Sequence, residues 1–410
     1  MQRASMEARK RPLEGITVLD VTRVVAGPYS AMMLADLGAT VIKVEHPTEP
    51  DYVRSFPPFA SDSDGRSAGS AYFAQYNRNK LGASLNLKHA EGRELFIEMA
   101  RKADIVIENF RPGTMQKLGL DYSALKEVNA RLIYCSISGF GQTGPNSKRP
   151  SYDSTAQAAG GLWSMNGDLD QAPVRMGSII GDLAASFYAT IGILSALREV
   201  DRTGLGQMVD ISQQDSVVTM TESAIVNYTV DGVVAKPLGS GHPFARPYGQ
   251  YECKDGYVFF GSYTDKLWND SCHVFGEPEL IDDTEINTMV KRFDDEIYNR
   301  RIKPILHRWF SGRTKAELES MAGDRIALTP IKQIDEVVAD PHLRARDMFV
   351  PVLLASATVE AFGSPIKLSE TPPIVSGKAP EIGEDNLKVY VDWLGLSSER
   401  IEVLGNTGVI

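Results

Sequence analysis

An aspartate stands at the start of an apolar helix in the stretch RMGSIIGDLAAS. Two kinds of chemistry suit this residue, Asp182. Its carboxylate could cap the following segment, LAASFYATIGILSALREV, by accepting an orphan backbone N–H, since Asp is among the favoured cap residues. It could instead act as a covalent nucleophile toward an activated electrophile such as a thioester. Local pattern leaves both readings open. Other nucleophiles are harder to build, because there is no G-x-S-x-G elbow and no cysteine beside a suitable loop. The six histidines have no metal-ligand spacing, so no metal site can be argued from them.

Three polar segments offer contacts for an anion. RVVAGPYSAMMLADLG opens a helix after a strand, NRNK carries Lys80, and ENFRPGTMQKLG carries Arg111 and Lys117. Backbone N–H groups at a helix start and these cations could neutralise a polyphosphate, although ordinary loop polarity explains any one of them alone. No G-x-G-x-x-G is present, so the dinucleotide fingerprint is missing. Tyr152 and Asp153 begin a small-residue helix in SYDSTAQAAGGLWSMNG, a composition that permits close packing against a helix or around a ligand.

The elements that must position these residues alternate. ITVLDVT, TVIKVEH, GASLNL, DIVIENF, RLIYCSISG and MVDIS read as strands, with PYSAMMLADLG and AEGRELFIEMARKA among the helices between them. Such alternation implies a parallel sheet with helices on its faces, and ligands then bind at the carboxyl ends of the strands. After about residue 225 the texture changes to proline, glycine and short β-rich runs, with KDG as a hairpin turn, followed by helical segments. Residues 226–344 therefore read as a smaller α+β domain. Residues 1–225 together with 345–410 form the large domain, whose tail is reached through the extended stretch SETPPIVSGKAPEIG.

Composition narrows the partners. A net charge of -10 argues against nucleic acid, and three isolated cysteines suit a reducing compartment. The opening segment MQRASMEARKRPLEG has no apolar core of a secretory signal, and no uninterrupted apolar run long enough to span a membrane is apparent. The expectation is a cytoplasmic, soluble protein with no membrane partner.

Taken in order, PLEGITVLDVTRVVAGPYSAMMLADLGATVIKVEHP, NRNK, ADIVIENFRPGTMQKLGLDY, ISGFGQTGP, GDLAAS and RTGLGQMVDIS resemble the class III CoA-transferases of the CaiB/BaiF type. The likeness continues through DGYVFFGS, PHLRARDMF and LGNTGVI, so it covers essentially the whole chain. It implies a Rossmann-like large domain, a small domain between long linkers, and an interlocked homodimer. It also implies that a coenzyme A thioester is substrate, with no cofactor bound permanently, and that the partners are an acyl-CoA and a small carboxylic acid.

By the same resemblance Asp182, thirty residues after Tyr152, is the nucleophile. It forms an anhydride with the donor acyl group and then an aspartyl-CoA thioester, with a backbone N–H at the GD step as an oxyanion donor. Val24, Val25 and Ala26 correspond to the loop that contacts CoA, and Asn109, Phe110 and Lys117 to further contacts. Arg149 is an additional cation, and Tyr152 belongs to the substrate site. His46 stands where some members carry an arginine near the CoA phosphates. FGSYTDKLW lacks the multi-glycine lid of the formyl-CoA branch, and Asp385 replaces a histidine common in the family.

Three rivals remain. In an α-methylacyl-CoA racemase a histidine would occupy the place of Tyr152, whose phenol, with an ordinary pKa near 10, is a poor base. A non-catalytic subunit of a heteromeric transferase should lack the aspartate. A nicotinamide-dependent dehydrogenase should carry the absent glycine fingerprint. Family members use varied acids, and the expectation here is succinyl-CoA as donor with a dicarboxylic acceptor. Arg175, in QAPVRMG, could pair with a second carboxylate or form a structural salt bridge.

Overall fold

The computed structural model describes residues 11–375 and 377–410, and the charged opening stretch 1–10 lies outside them. The described chain divides into two units. The first comprises residues up to Trp163 with Arg175–Val226 and Pro341–Ile410, and the second comprises Ser164–Val174 with Asn227–Asp340. Ser164–Val174 is a segment that the sequence reading left inside the large domain.

In the first unit six strands form one sheet: β1 (Thr17–Asp20), β2 (Thr40–Glu45), β3 (Lys80–Ser84), β4 (Ile105–Glu108), β5 (Ile133–Ser138) and β6 (Met208–Ser212). Their order is β3-β2-β1-β4-β5-β6, and every pairing is parallel. The order reverses between β1 and β4, which opens a crevice at their carboxyl ends.

Alternation along the strands sorts side chains to two cores. Leu19, Ile42, Val106 and Tyr134 face one side, where helix α2 (Ala90–Lys102) contributes Phe96 and Met99. Val18, Val41, Ile105 and Ile133 face the other, under helices α1 (Ala26–Asp36) and α4 (Ile180–Thr203). Two shorter helices, α3 (Asp153–Ala159) and α5 (Gln213–Val218), pack against α4.

Small residues let α1 and α4 approach closely. Ser186 Oγ donates to the Ala26 carbonyl at 2.8 Å, and the Ser30 and Thr190 hydroxyls lie 3.0 Å apart. By length and a mean hydropathy of 1.5 over its apolar window, α4 could cross a membrane, contrary to the sequence expectation. Half of that window is buried against protein, so packing on the sheet accounts for much of its apolar character.

The C-terminal tail completes the first core with Val389, Tyr390, Leu404 and Val409. The Tyr390 hydroxyl donates to the Ser84 carbonyl at 2.7 Å. Asp385 accepts from the Gly82 N–H at 2.8 Å, which gives this unusual family position a structural task. The second unit is α+β. An antiparallel sheet of Tyr248–Cys253, Gly256–Gly261 and Ala327–Pro330 packs with Trp268, Trp309 and Phe310.

Beneath the crevice lies a sealed ionic network. Lys80 Nζ is 2.8 Å from Asp20, from the Pro28 carbonyl and from the Asn77 side-chain oxygen. Lys43 Nζ donates to the Thr22 carbonyl at 3.0 Å and lies 3.5 Å from Asp51. Burial pushes the Asp20 carboxyl up, but Lys80 and Lys43 outweigh it and hold it below the usual carboxylate range. Lys80 thus has its three donors committed and cannot serve a polyphosphate, which corrects the sequence reading. Lys80→Met should destabilise the protein by about 3–5 kcal/mol in chemical denaturation, because it strands the Asp20 charge. Adding Asp20→Asn should recover part of that loss.

Candidate active site

Asp182 is not the cap of its helix. It occupies the third position of α4, whose cap residue is Ile179, and it makes no capping hydrogen bond of its own. An orphan donor of that first turn is served from elsewhere: the Gly181 N–H donates to Asp153 Oδ1 at 2.8 Å. Asp153 comes from the start of α3, 28 residues away in the chain. The borrowed acceptor leaves the Asp182 carboxylate free to face a cavity. It also takes the Gly181 N–H out of consideration as an oxyanion donor, against the expectation for the GD step.

That cavity, of about 440 Å³, is lined by Asp182, Val24, Ala26, Asn109, Phe110 and Tyr152, among others. Arg23, Arg111 and Arg149 supply cations to its wall, and Tyr52 and Tyr72 supply phenols. Burial, and then the negative charge of Asp153, push the Asp182 carboxyl up to about 7, against a hydrogen bond from Gln213 that favours the charged form. Gln213 Nε2 donates to Asp182 Oδ1. Tyr152 is 70% exposed at the cavity wall.

A second cavity of about 460 Å³ shares Arg23 and Phe110 with the first. His46, Lys88 and Lys117 line it together with apolar Leu85 and Leu87. His46 accepts at Nδ1 from the Thr48 and Glu49 N–H groups, at 3.2 and 3.1 Å, which fixes the ring at the cavity wall. Two adjoining chambers, one apolar with cations and one with a recessed carboxylate, suit a long anionic ligand whose reactive end meets Asp182.

The loop between the chambers is held under constraint. Val24 has φ 71°, a left-handed conformation that a β-branched residue adopts only when its surroundings enforce it. Its N–H donates to both Asp51 oxygens, at 3.2 and 3.0 Å. Asn109 clamps the preceding residue, accepting from the Arg23 N–H at 2.9 Å and donating to the Arg23 carbonyl at 2.7 Å. The Asn109 amide is therefore occupied in shaping the loop.

Val25 is buried in a cluster with Tyr29, Met32 and Tyr76, and lines neither cavity. Arg175 pairs with Asp153 at 3.6 Å and is absent from the cavity wall, so the structural salt bridge is the arrangement present. Sequence reasoning missed Gln213, Tyr72, Arg23, Leu85 and Lys88. Of these, Lys88 carried a readable signal, a cation directly after the strand segment GASLNL.

Residues 13–386 match the model of CoA-transferase family III. A succinyl-CoA:mesaconate CoA-transferase of Haloarcula hispanica is 36% identical over 95% of this chain and 98% of its own. A succinate–glutarate CoA-transferase of Agrobacterium fabrum is 34% identical over 94% of this chain and 97% of its own. The crystal structure of a CaiB/BaiF family protein from Brucella suis superposes with a TM-score of 0.82 at 32% identity, covering 94% of this chain and all of that one.

The raised Asp182 carboxyl has two measurable consequences. Activity that needs the carboxylate should rise with pH through an acidic limb near 7 in kcat/KM. In the unfolded chain this group titrates near 4, so the folded state binds the proton more tightly. Its contribution to stability is therefore lost as pH climbs from about 4 to 7 and stays lost above. Asp182→Asn should accordingly stabilise the fold by about 1–4 kcal/mol at pH 8 and by nothing below about pH 4, as read from thermal or denaturant unfolding.

Proposed function

The chain belongs to CoA-transferase family III and moves coenzyme A between carboxylic acids, and we propose that it does so with Asp182 as covalent nucleophile, succinyl-CoA as donor and a dicarboxylic acid as acceptor. The observation that carries this reading is the recessed Asp182 carboxylate, relieved of capping by Asp153 and facing a chamber lined by three arginines.

The outer chamber suits the nucleotide end of CoA. Lys117 and His46 face the phosphates there, Lys88 stands beside them in an exposed pair with Glu49 at 2.8 Å, and Leu85 and Leu87 provide an apolar bed. The pantetheine arm then passes Phe110, which belongs to both chambers, and brings the thioester to Asp182. Asp182 Oδ2 attacks the thioester carbonyl carbon, and the C–S bond breaks as the CoA thiolate leaves with its electron pair. The thiolate next attacks Cγ of Asp182 and expels the donor acid, which carries Oδ2 away. The acceptor carboxylate then attacks the aspartyl-CoA thioester, and the released thiolate takes its acyl group from the new anhydride. Each step exchanges a thioester for an anhydride or the reverse, so no single barrier bears the whole change.

Support for a dicarboxylate comes from two sources. Both quoted transferase relatives are named for dicarboxylic acids, and Arg23, Arg111 and Arg149 give the Asp182 chamber more positive charge than one carboxylate needs. Support for a homodimer comes from apolar side chains left in water. Phe187 and Ile191 project from α4, and Tyr228, Val230 and Val234 follow further along, Val230 being 77% exposed. We also assign the protein to the cytoplasm, on its three unpaired cysteines.

Incubation with succinyl-CoA and a panel of free acids should yield new acyl-CoA masses for dicarboxylic acceptors such as mesaconate or glutarate. Asp182→Ala should lower that rate by at least about 10³-fold. A failure of succinyl-CoA to donate would remove the donor assignment. Deuterium gain at a 2-methylacyl-CoA in D2O without new species would replace transfer by racemisation. Native mass spectrometry should show two chains per particle.

A further inference from the structure

On the reading that Asp182 is the nucleophile, we infer that Gln213 is a second catalytic residue: its side-chain amide selects the attacking oxygen of Asp182 and then stabilises the charge that develops on the other. Three observations carry this. Gln213 Nε2 donates to Oδ1 of Asp182, a residue that lines the chamber, and among the described residues Oδ2 accepts no hydrogen bond, so its lone pairs are unshared. Gln213 itself is only 8% exposed and lines the same chamber. Its backbone is fixed where α5 begins, because the Ser212 hydroxyl caps that helix by accepting from the Asp215 N–H at 3.1 Å.

The assignment follows from what happens to each oxygen. Oδ2 forms the bond to the donor acyl carbon and later departs with the donor acid. Oδ1 stays on Cγ throughout. When the thiolate attacks Cγ, the carbonyl π electrons move onto Oδ1, and the tetrahedral centre collapses by breaking the Cγ–Oδ2 bond. When the acceptor carboxylate attacks the resulting thioester, the same oxygen takes the charge again before the C–S bond breaks. A donor already bonded to Oδ1 meets that charge without rearrangement, the condition under which oxyanion stabilisation is strongest.

The choice of side chain fits the task. The backbone candidate at the GD step, the Gly181 N–H, is committed to Asp153. A lysine or arginine in this place would form an ion pair and weaken the nucleophile, whereas a neutral amide orients the carboxylate and leaves it reactive. The neighbouring Gln214 does something different, donating to the Ala159 carbonyl at 2.9 Å. Only one of the paired glutamines thus enters the chamber wall.

The test compares the unsubstituted chain with Gln213→Met, which keeps length and bulk, and Gln213→Glu, which keeps shape. Succinyl-CoA is the probe, and the readouts are the CoA adduct on the Asp182 peptide, KM for the thioester, and the pH profile of kcat. Gln213→Met should lower kcat by about 10²-fold with KM within about twofold, since one oxyanion donor is lost. Its acidic limb should move to higher pH, because a donor to the carboxylate is gone. Gln213→Glu should work only in a narrow acidic window where the introduced carboxyl still carries a proton to donate. Unchanged kcat and an unmoved limb in Gln213→Met, with the adduct still forming on Asp182, would overturn the role of Gln213 and leave the nucleophile standing. Absence of any adduct on Asp182 in the unsubstituted chain would remove both.

Discussion

Two lysines and two aspartates are sealed from water beneath the carboxyl ends of the central strands, and the shape of the active crevice rests on their pairing. Asp20 ends β1, Lys43 lies in β2, and Lys80 opens β3, so the network ties three adjacent strands at the level where the ligand loops begin. Each charge left alone there would cost several kcal/mol, so the set persists only as a whole. One member, Asp51, is the acceptor that holds Val24 in a left-handed turn. Buried electrostatics is thereby converted into the position of a loop backbone in the chamber wall.

The same logic runs through the Asp182 centre, with the sign reversed. Here two carboxylates, Asp153 and Asp182, sit close enough that one raises the proton affinity of the other. Asp153 tolerates its place because it accepts from Gly181 and from Gln157 and faces Arg175. Among the described residues Asp182 receives only the amide of Gln213 at its side chain, and burial then leaves it poorly solvated. A carboxylate with so little stabilisation is a better nucleophile and a worse contributor to the fold, a common bargain at reactive sites.

Much of this was legible in the residues, for reasons that are local. The six parallel strands announced themselves through short apolar runs alternating with helical periodicity, and their carboxyl-end loops follow from that topology. The GD step and its distance from Tyr152 pointed to Asp182 as the proposed nucleophile through family resemblance. What stayed hidden depends on contacts between distant segments. Nothing near Lys80 in NRNK says that Asp20, sixty residues earlier, will consume its charge. Nothing near Asp182 says that Asp153 will cap its helix, or that Gln213 and not Gln214 will reach it. The capping reading failed because it assumed that a helix start is served by its own sequence.

The docking of the C-terminal tail has a consequence for how such a chain is made. Tyr390, Leu404 and Val409 fill the core on the face of the sheet opposite α1 and α4, and Asp385 pins the backbone of β3. The site-bearing unit therefore misses part of its interior until residues 385–409 have been synthesised. Most of the second unit, by contrast, is one continuous stretch, Asn227–Asp340, available for folding while synthesis is still under way. The unit that holds the chemistry is the one that must wait, with one apolar face of its sheet incompletely covered until that segment arrives.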